Sequence, residues 1–138
     1  MTDLPDLEVR NASKRFGALT AVDDVSFTVA RGLFFSILGP SGCGKTTLMR
    51  MIAGFLEPDT GDIVIRGKPM RGVPPNKRPA SMVFQHLALF PMMTVAENVA
   101  YGLRRRKMAT GVIAERVAQM LERVGLPSAG DKRIDELS

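Results

Sequence analysis

Gly39-Pro40-Ser41-Gly42-Cys43-Gly44-Lys45-Thr46 matches G-x-x-x-x-G-K-[ST] at every fixed position. The apolar run Leu33 to Leu38 lies directly before it and a helical pattern directly after it, which is the strand, loop and helix context the motif requires. Glycines let the backbone curl around an anion and turn successive N–H groups inward, where a side chain would block the turn or the ligand. The helix N-terminus behind them adds a partial positive charge. Lys45 can reach β- and γ-phosphates as a point charge, a catalytic role, and the Thr46 hydroxyl can join the octahedral oxygen shell of Mg²⁺. The nucleotide-binding set is therefore Gly39, Pro40, Ser41, Gly42, Cys43, Gly44, Lys45, Thr46 and the adjoining Thr47. With 13 glycines in 138 residues, the composition yields roughly 0.006 chance matches. The alternative, a Gly-rich turn with an incidental lysine, is correspondingly weak, and the expected ligand is a nucleoside triphosphate. Cys43 is either a reactive thiol beside Lys45 or a small residue that merely fits.

Outward from the loop, apolar runs at Leu7 to Arg10, Val25 to Val29, Leu33 to Leu38, Ile63 to Ile65 and Ser81 to Phe84 are separated by Gly, Pro, Asp and Asn, and read as short strands. A helix is expected from Lys45 to about Phe55, with Leu48, Met51, Ile52 and Phe55 on its buried face and Gly54 and Pro58 at its end. Beyond Pro91 the pattern turns helical. Thr94 with Glu97 reads as a capping box opening a helix to about Lys107. A second helix, about Gly111 to Val124, places Ile113, Val117, Met120, Leu121 and Val124 on one face, and Gly125 stops it. The methionines in these stripes read as core, not as cofactor ligands. The expected division is a nucleotide-binding core over 1–88 and a helical subdomain over 89–138.

The chain is 45% hydrophobic and 24% charged, which suits one modest globular domain. No stretch approaches the ~18 apolar residues of a membrane span, and Met1 to Asp6 is acidic and proline-broken, unlike a secretory signal. The single cysteine excludes an internal disulfide and points to a reducing compartment, with cytosol the first expectation. A net charge of +5 suits phosphate ligands, nucleic acid or an anionic surface. Aromatics are 6% with no tryptophan, so the interleaved aromatic and basic pattern of single-strand binders is missing and no nucleic-acid partner is expected.

The phosphate loop fixes a ligand class and not a reaction. The wider pattern resembles the ATP-binding subunits of ABC transporters: Phe16 within Ser13-Lys14-Arg15-Phe16-Gly17, then Ala21-Val22-Asp23-Asp24-Val25-Ser26-Phe27, then Gly39 to Leu48, then Val83-Phe84-Gln85. Residues 50–54, 73–78 and 88–91 look most like importer subunits of the polyamine, ferric iron and sugar type. The resemblance implies an α/β fold, with a P-loop core, an antiparallel strand layer and the start of a helical subdomain. It implies ATP and Mg²⁺ as cofactors, with Phe16 stacking on adenine and Gln85 serving Mg²⁺ or the attacking water, so Gln85 joins Lys45 as catalytic and Thr46 as a metal ligand. Without it, Phe16 is a strand residue packed in the core and Gln85 a solvated glutamine. It further implies membrane permease subunits as partners, a second ATPase subunit in a homodimer, and a cytoplasmic place on the inner face of the cell membrane.

The uncharged run Leu87-Ala88-Leu89-Phe90-Pro91-Met92-Met93 is either the permease-facing surface or buried loop packing. Met92 stands where family members often carry histidine, which puts a polar contact there in doubt. Arg104-Arg105-Arg106-Lys107 is either a solvated helix end complementing the dipole or a phosphate-binding cluster. His86 is a lone histidine with no metal constellation around it.

A P-loop ATPase needs a second carboxylate strand for the Mg²⁺ shell, and none follows the loop. Asp23-Asp24 precedes it, and Asp135-Glu136 follows a single apolar residue. Because Leu137-Ser138 is how the family's signature begins, the expectation is a truncated ATPase domain, poorly stable by itself, that binds ATP·Mg weakly and does not turn it over. Two rival readings stand beside it. One is a soluble phosphotransferase using the Arg104 cluster as a lid, and the other a catalytically dead module docking on a permease through Leu87 to Met93.

Overall fold

A computed structural model describes residues 4–84 and 88–137. It divides into two compact units between Val83 and Phe84. The first is built on a four-stranded antiparallel sheet in the order β2-β1-β3-β4, from β1 (Leu7–Phe16), β2 (Leu19–Val29), β3 (Thr60–Ile65) and β4 (Lys68–Pro69). Helix α1 (Lys45–Ala53) packs on it. Val9, Ala12, Val22, Leu48, Met51, Ile63, Ile65 and Met70 form the core.

β1 and β2 run much further than their apolar residues suggest. The polar stretch 10–15 stays in the sheet because its register breaks are met by side chains. Asn11 and Asp24 both adopt positive φ, 47° and 46°, a region Asn and Asp tolerate better than most residues. Asn11 Nδ2 donates to Asp24 Oδ1 at 2.9 Å, the Asn11 N–H to Ser26 Oγ at 2.8 Å, and the Asp24 N–H to Ser13 Oγ at 2.9 Å. Gly17 and Ala18 then close a two-residue turn, Phe16 pairs with Leu19, and Gly17 supplies the φ of 58°. At the other end, Asp6 accepts from the Gly32 N–H at 3.0 Å and from Arg66 Nε at 2.9 Å. These bonds, the Gly32 one foremost, hold its carboxyl below the usual range.

Two expected strands are not formed. Residues 33–38 and 81–84 have no ladder partner among the described residues. Phe34 is 94% exposed, Leu38 90% and Val83 87%, although Phe35 stacks on Phe27 with centroids 4.9 Å apart. An extended apolar run becomes a strand only where a neighbour satisfies its N–H and C=O groups, and the sheet that is present is completed without these two. Helix α1 also ends two residues earlier than its apolar spacing predicts. Gly54, at φ 88°, is its left-handed C-cap, so Phe55 falls outside the helix and is half exposed.

The second unit holds α2 (Val95–Arg105) and α3 (Thr110–Arg123). The Thr94–Glu97 capping box is present: the Glu97 N–H donates to Thr94 Oγ1 and the Thr94 N–H to Glu97 Oε2. Val95, Ala100, Val117 and Leu121 form its core, with Ile113 and Ile134 against them. Met120 and Val124, expected on the buried face, are exposed, because α2 covers a stripe only wide enough for Ile113, Val117 and Leu121. Asn98 shapes the loop before α2: the Phe90 N–H donates to its Oδ1 at 2.8 Å, and its Nδ2 donates to the carbonyls of Phe90 and Thr94 at 3.1 and 2.9 Å.

One charged side chain is buried in the first unit. Arg78, with 1% of its side chain exposed, donates to the carbonyls of Met51, Ile52, Met70 and Val73 and to Glu57 Oε1 at 3.0 Å. Arg78→Met should cost about 3–5 kcal/mol, because it strips donors from buried carbonyls. Glu57→Gln, at the exposed end of the same ion pair, should cost under about 1 kcal/mol. Urea unfolding of both variants checks the order.

Candidate functional site

The phosphate loop and the end of the β1–β2 hairpin share one cavity of about 410 Å³. From the loop and α1 it takes Ser41, Gly42, Gly44, Lys45, Thr46 and Thr47, and from the hairpin Phe16, Leu19, Thr20 and Ala21. The Phe16 ring is 47% exposed beside it, so this aromatic is not a packed core residue. Among the described residues the lining contains one cation, Lys45, and no carboxylate.

Gly44 makes the loop possible. Its φ is 89°, and a Cβ there would collide with the carbonyl oxygen of Ala21. The hairpin backbone and the loop therefore touch at the point where α1 begins. Gly42 is equally left-handed at φ 82° but opens on free space. At Gly39 a Cβ would meet Cys43 Sγ at 2.7 Å. Helix α1 has no side-chain cap and no acid in its first turn, so no side chain competes with an anion for its leading N–H groups.

Lys45 is folded against its own loop. Its Nζ donates to the carbonyls of Gly39 and Pro40, both at 2.6 Å, and to Cys43 Sγ at 3.3 Å. Gly39, Pro40 and Cys43, three of the expected binding residues, thus do not line the cavity; they hold the lysine that does. Thr46, the expected Mg²⁺ ligand, lines it. Gln85 and His86 lie outside the described residues, as does Leu87 at the head of the uncharged run. Among the described residues no group of three His, Cys, Asp or Glu side chains could hold a metal by itself. Mg²⁺ binds through one or two protein oxygens plus phosphates and water. The Gly-lined cradle and the Thr46 hydroxyl fit such an ion carried in with a nucleotide.

The reading of the loop alone passes over Leu19, Thr20 and Ala21. The available signal was the two-residue Gly17-Ala18 turn, which folds them back beside Phe16. Lys14 also stands next to the ring, with Asp59 as its ion-pair partner. Lys14 Nζ lies 5.8 Å from the Phe16 centroid and 2.7 Å from Asp59 Oδ1. The Lys14 bond first, then the Arg15 N–H, holds the Asp59 carboxyl below the usual carboxylate range.

In the second unit, the loop shaped by Asn98 presents Leu89, Phe90 and Met92 to solvent, Met92 at 79%, so buried loop packing is not what these side chains do. Tyr101 lies against Phe90 with centroids 4.5 Å apart. Residues 104–107 are exposed at the end of α2.

A Gly-lined anion cradle with an aromatic at its rim, followed by a two-helix unit, matches the motif order of one class. The family model for ABC transporters matches residues 22–138, and the chain belongs to that family. It is 57% identical, over 96% of its length, to the spermidine/putrescine import ATP-binding protein PotA of Nitrosospira multiformis. It is 52% identical over 97% to the PotA of Pseudomonas aeruginosa, and 51% over 96% to that of Rubrobacter xylanophilus. The chain spans 35–37% of the length of these relatives.

Gly44→Ala combines backbone strain with a backbone collision and should destabilise the first unit by more than about 2 kcal/mol. Gly42→Ala, strained in open space, should cost about 1 kcal/mol. Denaturant unfolding of the two variants side by side tests whether the Ala21 contact sets the loop.

Proposed function

We propose that this chain is the ATP-binding part of an ABC importer, with residues 1–88 holding the nucleotide and 89–138 facing the transport partner. The observation that carries the reading is the single cavity joining the exposed Phe16 ring to the phosphate loop. A flat π face takes a purine with little demand on hydrogen bonding. From the same cavity the amides of Ser41, Gly42, Gly44, Lys45 and Thr46 and the Lys45 ammonium meet the phosphates, and Thr46 supplies an oxygen to Mg²⁺. Gln85 completes that shell as the family resemblance implies.

Lys45 must exchange a partner to reach a phosphate. Its three donors are engaged by two carbonyls and a thiol, and sulfur is the weak acceptor of the three. The bond to Cys43 is the one to break, after which the ammonium bridges the loop carbonyls and the incoming anion. Among the described residues the cavity lining carries no carboxylate to act as a base toward water, so the role these residues take is binding. In the complete ATPase two such subunits sandwich ATP, and hydrolysis resets the dimer.

The solvent-facing Leu89, Phe90 and Met92 suit a permease surface. The relatives' names favour a polyamine as the transported solute. No helix of the described residues is long and apolar enough to cross a membrane, and the subunit would work as a peripheral component on the inner membrane face.

Titration calorimetry with ATP·Mg should show saturable binding that weakens at least about tenfold in Lys45→Ala, the loss expected when one charge-assisted contact of about 1.5–3 kcal/mol is removed. No phosphate release should accompany it. Release by the 138 residues that Lys45→Ala abolishes would overturn the binding-only assignment. Phe90→Asp should reduce capture of the permease while leaving ATP·Mg affinity unchanged, and a pull-down with the purified permease measures it.

A further inference from the structure

Asp59 is bonded three times to the strand segment that ends in Phe16. Its Oδ1 accepts from Lys14 Nζ and its Oδ2 from the Arg15 N–H, both at 2.7 Å, and its own N–H donates to the Ser13 carbonyl at 2.9 Å. Residues 13, 14 and 15 are thus all held by one residue lying just before β3. Lys14 and Phe16 are two apart on a strand and so share a face. This places the ammonium over the ring, 5.8 Å from its centroid, where the ring quadrupole attracts it. The Lys14 side chain is mostly covered, 17% exposed, and does not line the nucleotide cavity. It is therefore no phosphate ligand. A flexible lysine is normally free to swing away from an aromatic; this one is tied by a carboxylate that is itself tied to the backbone.

We propose that Lys14 and Asp59 are a positioning pair that closes one face of Phe16, so that the base of a bound nucleotide stacks only on the other face, the one open to the cavity beside Leu19 and Thr20. A base cannot displace the ammonium without breaking the ion pair. The cation also draws electron density from the ring, which suits the remaining face to an electron-rich purine. The pair gives the base one pose and relieves binding of the need to order the ring. The proposal rests on the reading of Phe16 as the base-stacking residue.

The test separates base from phosphate by titrating the full chain with ATP·Mg and with inorganic tripolyphosphate. Lys14→Met and Asp59→Asn should each weaken ATP·Mg about 3- to 10-fold and leave tripolyphosphate within about twofold. Lys14→Arg, which keeps the cation, should restore ATP affinity. In a Phe16→Ala background Lys14→Met should add nothing. If Lys14→Met loses both ligands equally, the pair acts on the fold or the general field, and the positioning role is overturned. It is equally overturned if Lys14→Met binds ATP normally while Phe16→Ala does not, and base stacking then stands alone. If Phe16→Ala itself binds ATP normally, the stacking reading fails and the pair falls with it.

Discussion

The nucleotide cradle depends on a guanidinium that never touches it. Helix α1 must hold its N-terminus against an anion, so its other end cannot fray. At that end the Gly54 N–H returns to the Met51 carbonyl, but the Ile52 carbonyl and the second lone pair of Met51 would otherwise lack a donor. Arg78 supplies the donors, and with the same group takes the carbonyls of Met70 and Val73 from the segment after β4. One side chain thereby joins the C-terminus of the phosphate-loop helix to the far edge of the sheet. The same contact requires glycine at 54, where a Cβ would stand 2.5 Å from Arg78 Nε. A lysine could not replace Arg78, having three donors on one atom against a planar fork that reaches both sides at once.

The front of the helix is held by a different device. Gly44 lies against the Ala21 carbonyl, so the loop and the β1–β2 hairpin are in register. That register is why a residue some thirty positions upstream can serve the same cavity as Lys45. The hairpin's own length depends on the Asn11, Asp24 and Ser13 bonds that carry it across its bulges. Without them the pairing would stop near Val9 and the Phe16 ring would have no fixed place at the rim.

How much of this could be read from residues follows from the range of the interactions. The loop, the start of its helix and the Thr94–Glu97 cap are local, with donor, acceptor and turn residue within a few positions; the helix begins at Lys45 and the cap forms as the sequence puts them, while the helix stops at Ala53 rather than near Phe55. Phe16 could be singled out only by resemblance to a family, since an aromatic after a basic pair carries no geometry of its own. Arg78 and Asp59 had no local signal. Their ion-pair partners are 21 and 45 residues away, and a charged residue between prolines or before a strand reads as solvated. The strands of 10–16 and 19–24 were hidden because their polar residues face solvent or bridge bulges, while the period-two signal needs one buried face. The runs 33–38 and 81–84 were misread in the opposite sense. Their apolar character is that of buried strands, but forming a strand requires a neighbour, which composition cannot supply.

Those two runs and the cavity lining point to the same physical conclusion. Residues 33–38 carry the loop, yet no ladder pairs with them among the described residues; the Leu33 N–H donates to the Ala30 carbonyl and Phe35 stacks on Phe27. The cradle is thus anchored behind by α1 and Arg78 and beside by Ala21, but not below. An anion held by amides, a cation and a hydroxyl gains most from a rigid cradle, because each N–H that must be reoriented on binding costs conformational entropy. Anything that paired with 33–38 would stiffen the loop and strengthen binding without touching the nucleotide. The two runs and the lining therefore bear on one property, how far the cradle is fixed before an anion arrives.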